Sequence, residues 1–218
     1  GGTWEVGVPT SGPGSAHDGT NCAATVLAGN YAENTSGRLV SPLFVVPAAD
    51  QIPRLRFWHW YSFACGDFGE VQIKGTNGVW QTFVSYSSTS SGVWSQPTID
   101  LSAYAGQTVQ IGFNFTSSGS GCGSTVGAGW YIDEVKLVTG AVQTLVPNVP
   151  DSFELGIRDW SVDGGTWEVG VPTFGPPLNS NGSRAHDGTN CAATVLAGNY
   201  AENTAGRLVS PIFVLPSA

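Results

Sequence analysis

The stretch Ala16–Ala49 returns almost letter for letter as Ala185–Ala218, and no other feature constrains the chain so strongly. Over these 34 positions only Ser36/Ala205, Leu43/Ile212, Val46/Leu215 and Ala48/Ser217 differ. Three of the four are conservative, as expected when one core is packed twice. "GGTWEVGVPT" at Gly1–Thr10 likewise recurs at Gly164–Thr173. The offset grows from 163 to 169 residues because "SGPGS" has become "FGPPLNSNGSR", an insertion that a surface loop absorbs at small cost. A repeat of about 165 residues lies far beyond solenoid periods of roughly 20–50. The unit is therefore a whole domain, used in tandem. The second copy is preceded by "PDSFELGIRDWSVD", Pro150–Asp163, which has no counterpart ahead of Gly1. The expected division is a module over 1–145 that lacks its first strand, a linker over 146–152, and the first half of the next module over 153–218.

The segments Arg54–Phe63, Glu70–Gly75, Trp80–Tyr86, Thr108–Ser117 and Trp130–Val138 alternate and are rich in aromatic and β-branched residues. Clusters of Gly, Ser, Asn and Pro separate them, so they read as strands. Asn77-Gly78 between two such runs predicts a hairpin, and Ile99–Gln107 reads as a link with one helical turn. No long stretch has a helical period. The fold class is all-β: an antiparallel β-sandwich of the jelly-roll kind, one module nearly complete and one partial.

Charged residues make up only 11% of the chain and the net charge is −8. Such a surface cannot neutralise a row of phosphates, which excludes nucleic acid as a partner. No apolar run approaches the roughly 20 residues of a membrane helix. Cys22 and Cys191 are one position in two copies, expected to be small buried residues. Cys65 ("FACGDF") and Cys122 ("GSGCGS") lie in Gly-rich loops, where a disulfide is the better use, with Cys22–Cys65 as the alternative pairing. A bridge would imply an oxidising, extracellular setting.

"FELG", "GTWEVGVP", "AHDGTNCAATVLAGNY", "RLVSPLF", "LRFWHWYSF", "DFGEVQIKGTNGVWQTF" and "GWYIDEVKL" together resemble the bacterial MAM-like jelly-roll modules. These accompany secreted proteases of the immune inhibitor A type and large repetitive surface proteins. The resemblance implies an adhesive, carbohydrate-binding or spacer role. It also implies a structural Ca²⁺ held by an acid of the first strand and an Asp of the last, positions matched by Glu154 and Asp133. Period-2 alternation adds an argument of its own by grouping Asp133 with Tyr131, Val135 and Leu137, a face expected to point inward. A buried carboxylate needs a cation, an Arg or several donors. Calcium would satisfy it, with oxygens from the loop His17–Asn21 and its copy His186–Asn190, including Asp18 and Asp187. Pairing with Arg56, or capping of loop amides, would satisfy it equally.

Catalysis has no support: HExxH, GxSxG and P-loop patterns are absent. His17 sits in a polar loop, and His59 in an aromatic strand reads as structural. Asp67 and Glu70, a loop acid and a strand acid, do not amount to an acid/base pair. Trp58 and Trp60 share one strand face and would form a ligand platform if exposed, or fill an interface if not; Trp80 and Trp94 invite the same question. Asn34, Asn114 and Asn181 are glycosylation sequons, but Asn203, the copy of Asn34, has lost its own.

Two functions follow as expectations. The first is a non-enzymatic extracellular repeat protein whose modules join head to tail, copy to copy, into a fibre, stalk or adhesive filament. The alternative is a glycan-binding β-sandwich array, appended to a secreted enzyme. The missing first strand could come from an adjoining repeat, from a neighbouring subunit, or from this chain's own Phe153–Asp163 folded back.

Overall fold

The computed structural model describes residues 4–87, 90–119, 125–163, 166–202 and 204–213. Its first unit is an antiparallel sandwich. The strands are β1 (Glu5–Gly7), β2 (Cys22–Ala24), β3 (Ser36–Val40), β4 (Phe44–Val45), β5 (Arg54–Ser62), β6 (Phe68–Lys74), β7 (Trp80–Ser87), β8 (Thr98–Asp100), β9 (Thr108–Thr116) and β10 (Gly129–Val138). One sheet runs β1-β2-β10-β5-β8. The other runs β3-β9-β6-β7, with β4 also paired to β9. The β6–β7 hairpin turns at Asn77-Gly78, where Gly78 takes φ 71° and the Asn77 side chain accepts from the Val79 amide at 3.0 Å. A single 3-10 turn, Ser102–Tyr104, forms within the Ile99–Gln107 link.

Alternation decides the core. Phe57, His59 and Tyr61 of β5 face Val71 and Ile73 of β6 and Val109, Ile111, Phe113 and Phe115 of β9, all buried. Trp130 and Ile132 of β10 join this core, while Tyr131 belongs to a separate cluster with Cys22 and Ala24 on the far side of the same sheet. The inward face of β10 is therefore Trp130/Ile132. The expectation that Tyr131 and Asp133 point into the sandwich is reversed. The physical reason is bulk: an indole fills the space between two sheets better than a phenol with a carboxylate behind it, and period 2 alone cannot say which face is which.

The second unit contributes β11 (Ser161–Asp163), β12 (Glu168–Gly170), β13 (Cys191–Ala193) and β14 (Arg207–Val209), paired β11–β14 and β12–β13. Repeated sequence gives repeated bonds. The Leu27 amide donates to Glu5 at 2.7 Å and the Leu196 amide to Glu168 at 2.7 Å. The indole N–H of Trp4 reaches Gly37 O at 3.3 Å, and that of Trp167 reaches Gly206 O at 3.3 Å. Long-range packing is not repeated. Tyr31 is 2% exposed, whereas its copy Tyr200 is 72% exposed, because only the first carries β5, β6, β9 and β10. Phe153–Asp163 does not fold back onto β3. It pairs within its own copy, and on the first unit it meets Arg56, which donates to Gln96 and to the carbonyls of Arg158 and Trp160 at 2.6, 2.5 and 3.1 Å.

Candidate functional site

Asp133 lies opposite Trp58 in the β10–β5 ladder, so it shares the outer face of that sheet with Trp58, Trp60 and Tyr131. It is half-buried. Its Oδ2 accepts from the amides of His17 and Asp18 at 3.0 and 3.1 Å, and its Oδ1 from the Glu134 amide at 2.7 Å. Capping of loop amides, not pairing with Arg56, is what satisfies this carboxylate. The chain bulges between Asp133 and Lys136, with Glu134 at φ 45°. That turns Glu134 towards His17 Nδ1 at 2.7 Å and Lys136 at 2.9 Å, and the two partners, Lys136 first, hold the Glu134 carboxyl below its usual range.

Glu154 acts on the other copy of the same loop. It accepts from the Thr189 and Asn190 amides at 2.9 and 2.7 Å and from the Thr189 hydroxyl at 2.9 Å. Those amides hold its carboxyl below the usual range. Asp133 and Glu154 thus grip opposite ends of the His-Asp-Gly-Thr-Asn loop, but in different copies. Asp18 and Asp187 are exposed, and among the described residues no three His, Cys, Asp or Glu side chains gather as a metal cluster. Asp133 and Glu154, the two expected calcium ligands, therefore serve different copies of the loop.

Trp58 and Trp60 are half-buried on the outer face. The His17 ring stacks on Trp58 with centroids 3.7 Å apart and 14° between planes, and Trp94 meets His17 edge-on at 6.0 Å. Trp60 packs edge-on against Tyr131 at 5.5 Å. The loop therefore covers Trp58, and Tyr131 meets Trp60, so the pair is not a bare platform. Alternation in β5 was the correct signal for the shared face; the covering loop, 40 residues earlier, carried no such signal.

Cys22 and Cys191 are free, with the Cys22 thiol pushed up to about 11 by burial and then by Asp133. Cys65 is disulfide-bonded, and Cys122 lies outside the described residues. Asn34 and Asn181 are exposed, whereas the Asn114 amide is half-buried and donates to Glu70 at 3.2 Å.

A further face lies on the second sheet, where sequence reasoning named Trp80 but none of the neighbours that register brings to it. Register puts Arg38, Asn114 and Glu70 in one row, Gly112, Gln72 and Thr82 in the next, and Lys74 beside Trp80. Arg38 donates to Gln72 at 2.8 Å. Gln72, Thr82 and Asn114 all donate to Glu70, at 2.8, 3.1 and 3.2 Å. The Trp80 ring lies across Gly112, where an added Cβ would come within 2.8 Å of the indole and 2.6 Å of Arg38. Arg38 and Lys74 stand 4.6 and 5.0 Å from the ring centroid. A flat indole flanked by Arg38 and Lys74 thus lies beside rows of hydrogen-bonded guanidinium, carboxamide and carboxylate groups, a set that suits a ligand with an apolar face and several hydroxyls. Asp67, fully buried, is committed to Tyr31 Oη at 2.5 Å and the Ser118 amide at 2.7 Å, and gives Glu70 no acid/base partner.

No family model matches the chain. It is similar to Bacillopeptidase F of Bacillus subtilis, 38% identical over 137 residues, covering 62% of this chain and 9% of that protein. It is also similar to the pre-pro-metalloprotease PrtV of Vibrio cholerae, 27% identical over 151 residues, covering 64% of this chain and 16% of that protein. The chain thus spans less than a fifth of the length of the curated relatives it matches. A solved structure of TmCBM61 in complex with β-1,4-galactotriose aligns with TM-score 0.39 and 19% identity, over 63% of this chain and 88% of that one.

Proposed function

We propose that this chain is a non-catalytic accessory region of a larger secreted protein and that the open β3-β9-β6-β7 face binds glycans. The carrying observation is the Trp80 ring laid on Gly112 amid Arg38, Gln72, Glu70 and Asn114. Sugars present C–H faces to an indole and vicinal hydroxyls to planar hydrogen-bonding groups, so a half-exposed face of this kind recognises them without chemistry. The accessory role is supported by two relatives named as proteases, of which the matching part is a small share. Secretion is supported by the pre-pro form in which one of them is named and by the disulfide-bonded Cys65. Affinity electrophoresis through a panel of soluble polysaccharides tests the reading. At least one polysaccharide is expected to retard the chain, and Trp80→Ala to lower affinity about tenfold or more, the equivalent of losing roughly 1.4 kcal/mol. If no polysaccharide retards the chain, or Trp80→Ala migrates like the parent, the reading fails.

A structural calcium ion belongs to the same proposal, at the loop where Asp133 and Asp18 adjoin. Its support is an exposed loop with a carboxylate already turned towards it. In EDTA-treated buffer, added calcium is expected to raise the thermal midpoint, and Asp133→Asn to abolish the rise. An unchanged midpoint overturns the calcium reading and leaves the glycan reading standing.

A further inference from the structure

One strand occurs twice here with different neighbours, and the comparison exposes an acceptor site. β3 pairs with β9, and its other edge carries no strand among the described residues. Its copy, β14, pairs instead with β11, in the register Ser161↔Val209, Val162↔Leu208, Asp163↔Arg207. The two pairings use opposite edges. The Ser41 amide donates to Ile111 and the Ser117 amide to Thr35, at 2.9 and 2.8 Å, so odd-numbered residues of the β3 ladder bond to β9 and the amides of Arg38 and Val40 face outward. In β11 the Val162 amide points away from β14, to Gln96 O at 3.1 Å, so Ser161 and Asp163 are the residues bonded to β14. Their partners, Val209 and Arg207, are the copies of Val40 and Arg38. The edge that β14 gives to β11 is therefore the edge that β3 leaves open.

A second anchor repeats the pattern. Glu154 caps the Thr189 and Asn190 amides, and among the described residues no carboxylate bonds to their copies in the first unit, Thr20 and Asn21. Both halves of a docking site for Asp151–Asp163 are present in the first unit. We propose that the first unit binds a strand with the sequence of Asp151–Asp163 by antiparallel addition to β3. Ser, Val and Asp of that strand lie opposite Val40, Leu39 and Arg38, and its Glu caps Thr20 and Asn21. Backbone bonds give the affinity, and the carboxylate on the loop fixes the register. Unpaired edges invite such pairing, and here the second copy displays the partner. The inference is independent of glycan binding.

The test adds a labelled synthetic peptide, Asp151–Asp163, to the full chain, whose own segment already occupies β14. Saturable binding with a 1:1 ratio is expected, together with slowed hydrogen exchange at the Arg38 and Val40 amides. A peptide with Pro at the positions of Ser161 and Asp163 loses the two inward amides and is expected to bind at least tenfold more weakly. In the chain, Val40→Pro removes only an outward donor, so it should abolish binding while leaving the β3–β9 ladder intact. The peptide variant decides the matter if Val40→Pro fails to fold. No saturable binding at millimolar peptide overturns the proposal, as does equal affinity for the Pro-substituted or a scrambled peptide.

Discussion

Trp130→Ala is expected to cost the first unit about 3–5 kcal/mol, a large part of the 5–15 kcal/mol that holds a typical domain together. Trp130 is 0% exposed and is the largest side chain in the core. Its ring meets those of Trp4, Tyr86, Phe113, Phe63 and His59, with centroids between 5.7 and 6.5 Å apart. Gly69 on the facing sheet is shaped to it, since an added Cβ there would come within 2.6 Å of the indole. These neighbours belong to both sheets, so none can move far enough to fill the void that alanine leaves. Urea unfolding measures the loss. Trp130→Phe, which keeps much of the volume, should retain the fold with a smaller deficit. Trp80→Ala, on the open face, should lie within about 1 kcal/mol of the parent. A Trp130→Phe protein as stable as the parent would contradict the packing argument.

Acid should unfold this domain through His59. Burial alone drives its pKa down from 6.5 to about 3. Trp130 Nε1–H points at Nδ1 from 3.4 Å, so Nδ1 is the acceptor and the neutral ring carries its proton on Nε2, which has no hydrogen-bond partner. A second proton would have to enter at Nδ1, against the indole N–H and inside a ring of aromatic side chains. The sign follows from linkage. Below pH 6.5 the unfolded chain takes up a proton that the folded chain refuses. Stability is thus fully present above that pH and declines as pH falls towards about 3. The limiting slope for one proton is roughly 1.4 kcal/mol per pH unit, so the loss reaches about 4–5 kcal/mol at the lower end. His59→Phe removes this contribution while keeping an aromatic ring in place. Denaturation free energies of parent and variant are measured from pH 7 to pH 3, and the parent's should fall relative to the variant's by about 4–5 kcal/mol over that range. Curves that stay parallel would mean that His59 does not govern acid stability.

The β-sandwich class, the strand segments, the Asn77-Gly78 hairpin and the repeat were all legible in the sequence. Each rests on local alternation, turn chemistry or identity between segments. The repeat even carried local geometry, as the twin bonds of Glu5 and Glu168 attest. Three matters needed the tertiary structure. A period of two gives two faces of β10 and does not say which is inside; the fit of Trp130 between the sheets decided that, and Asp133 went outside with it. Whether Trp58 is open depended on a loop distant in sequence that lays His17 on the ring. The open face around Trp80 was hidden because its members come from four strands and meet only through register. Tyr31 and Tyr200 put the limit most plainly: identical surroundings in sequence leave one ring buried and the other exposed. Local sequence sets which residues can form a strand and its turns, whereas burial is a property of the strands that arrive from elsewhere in the chain.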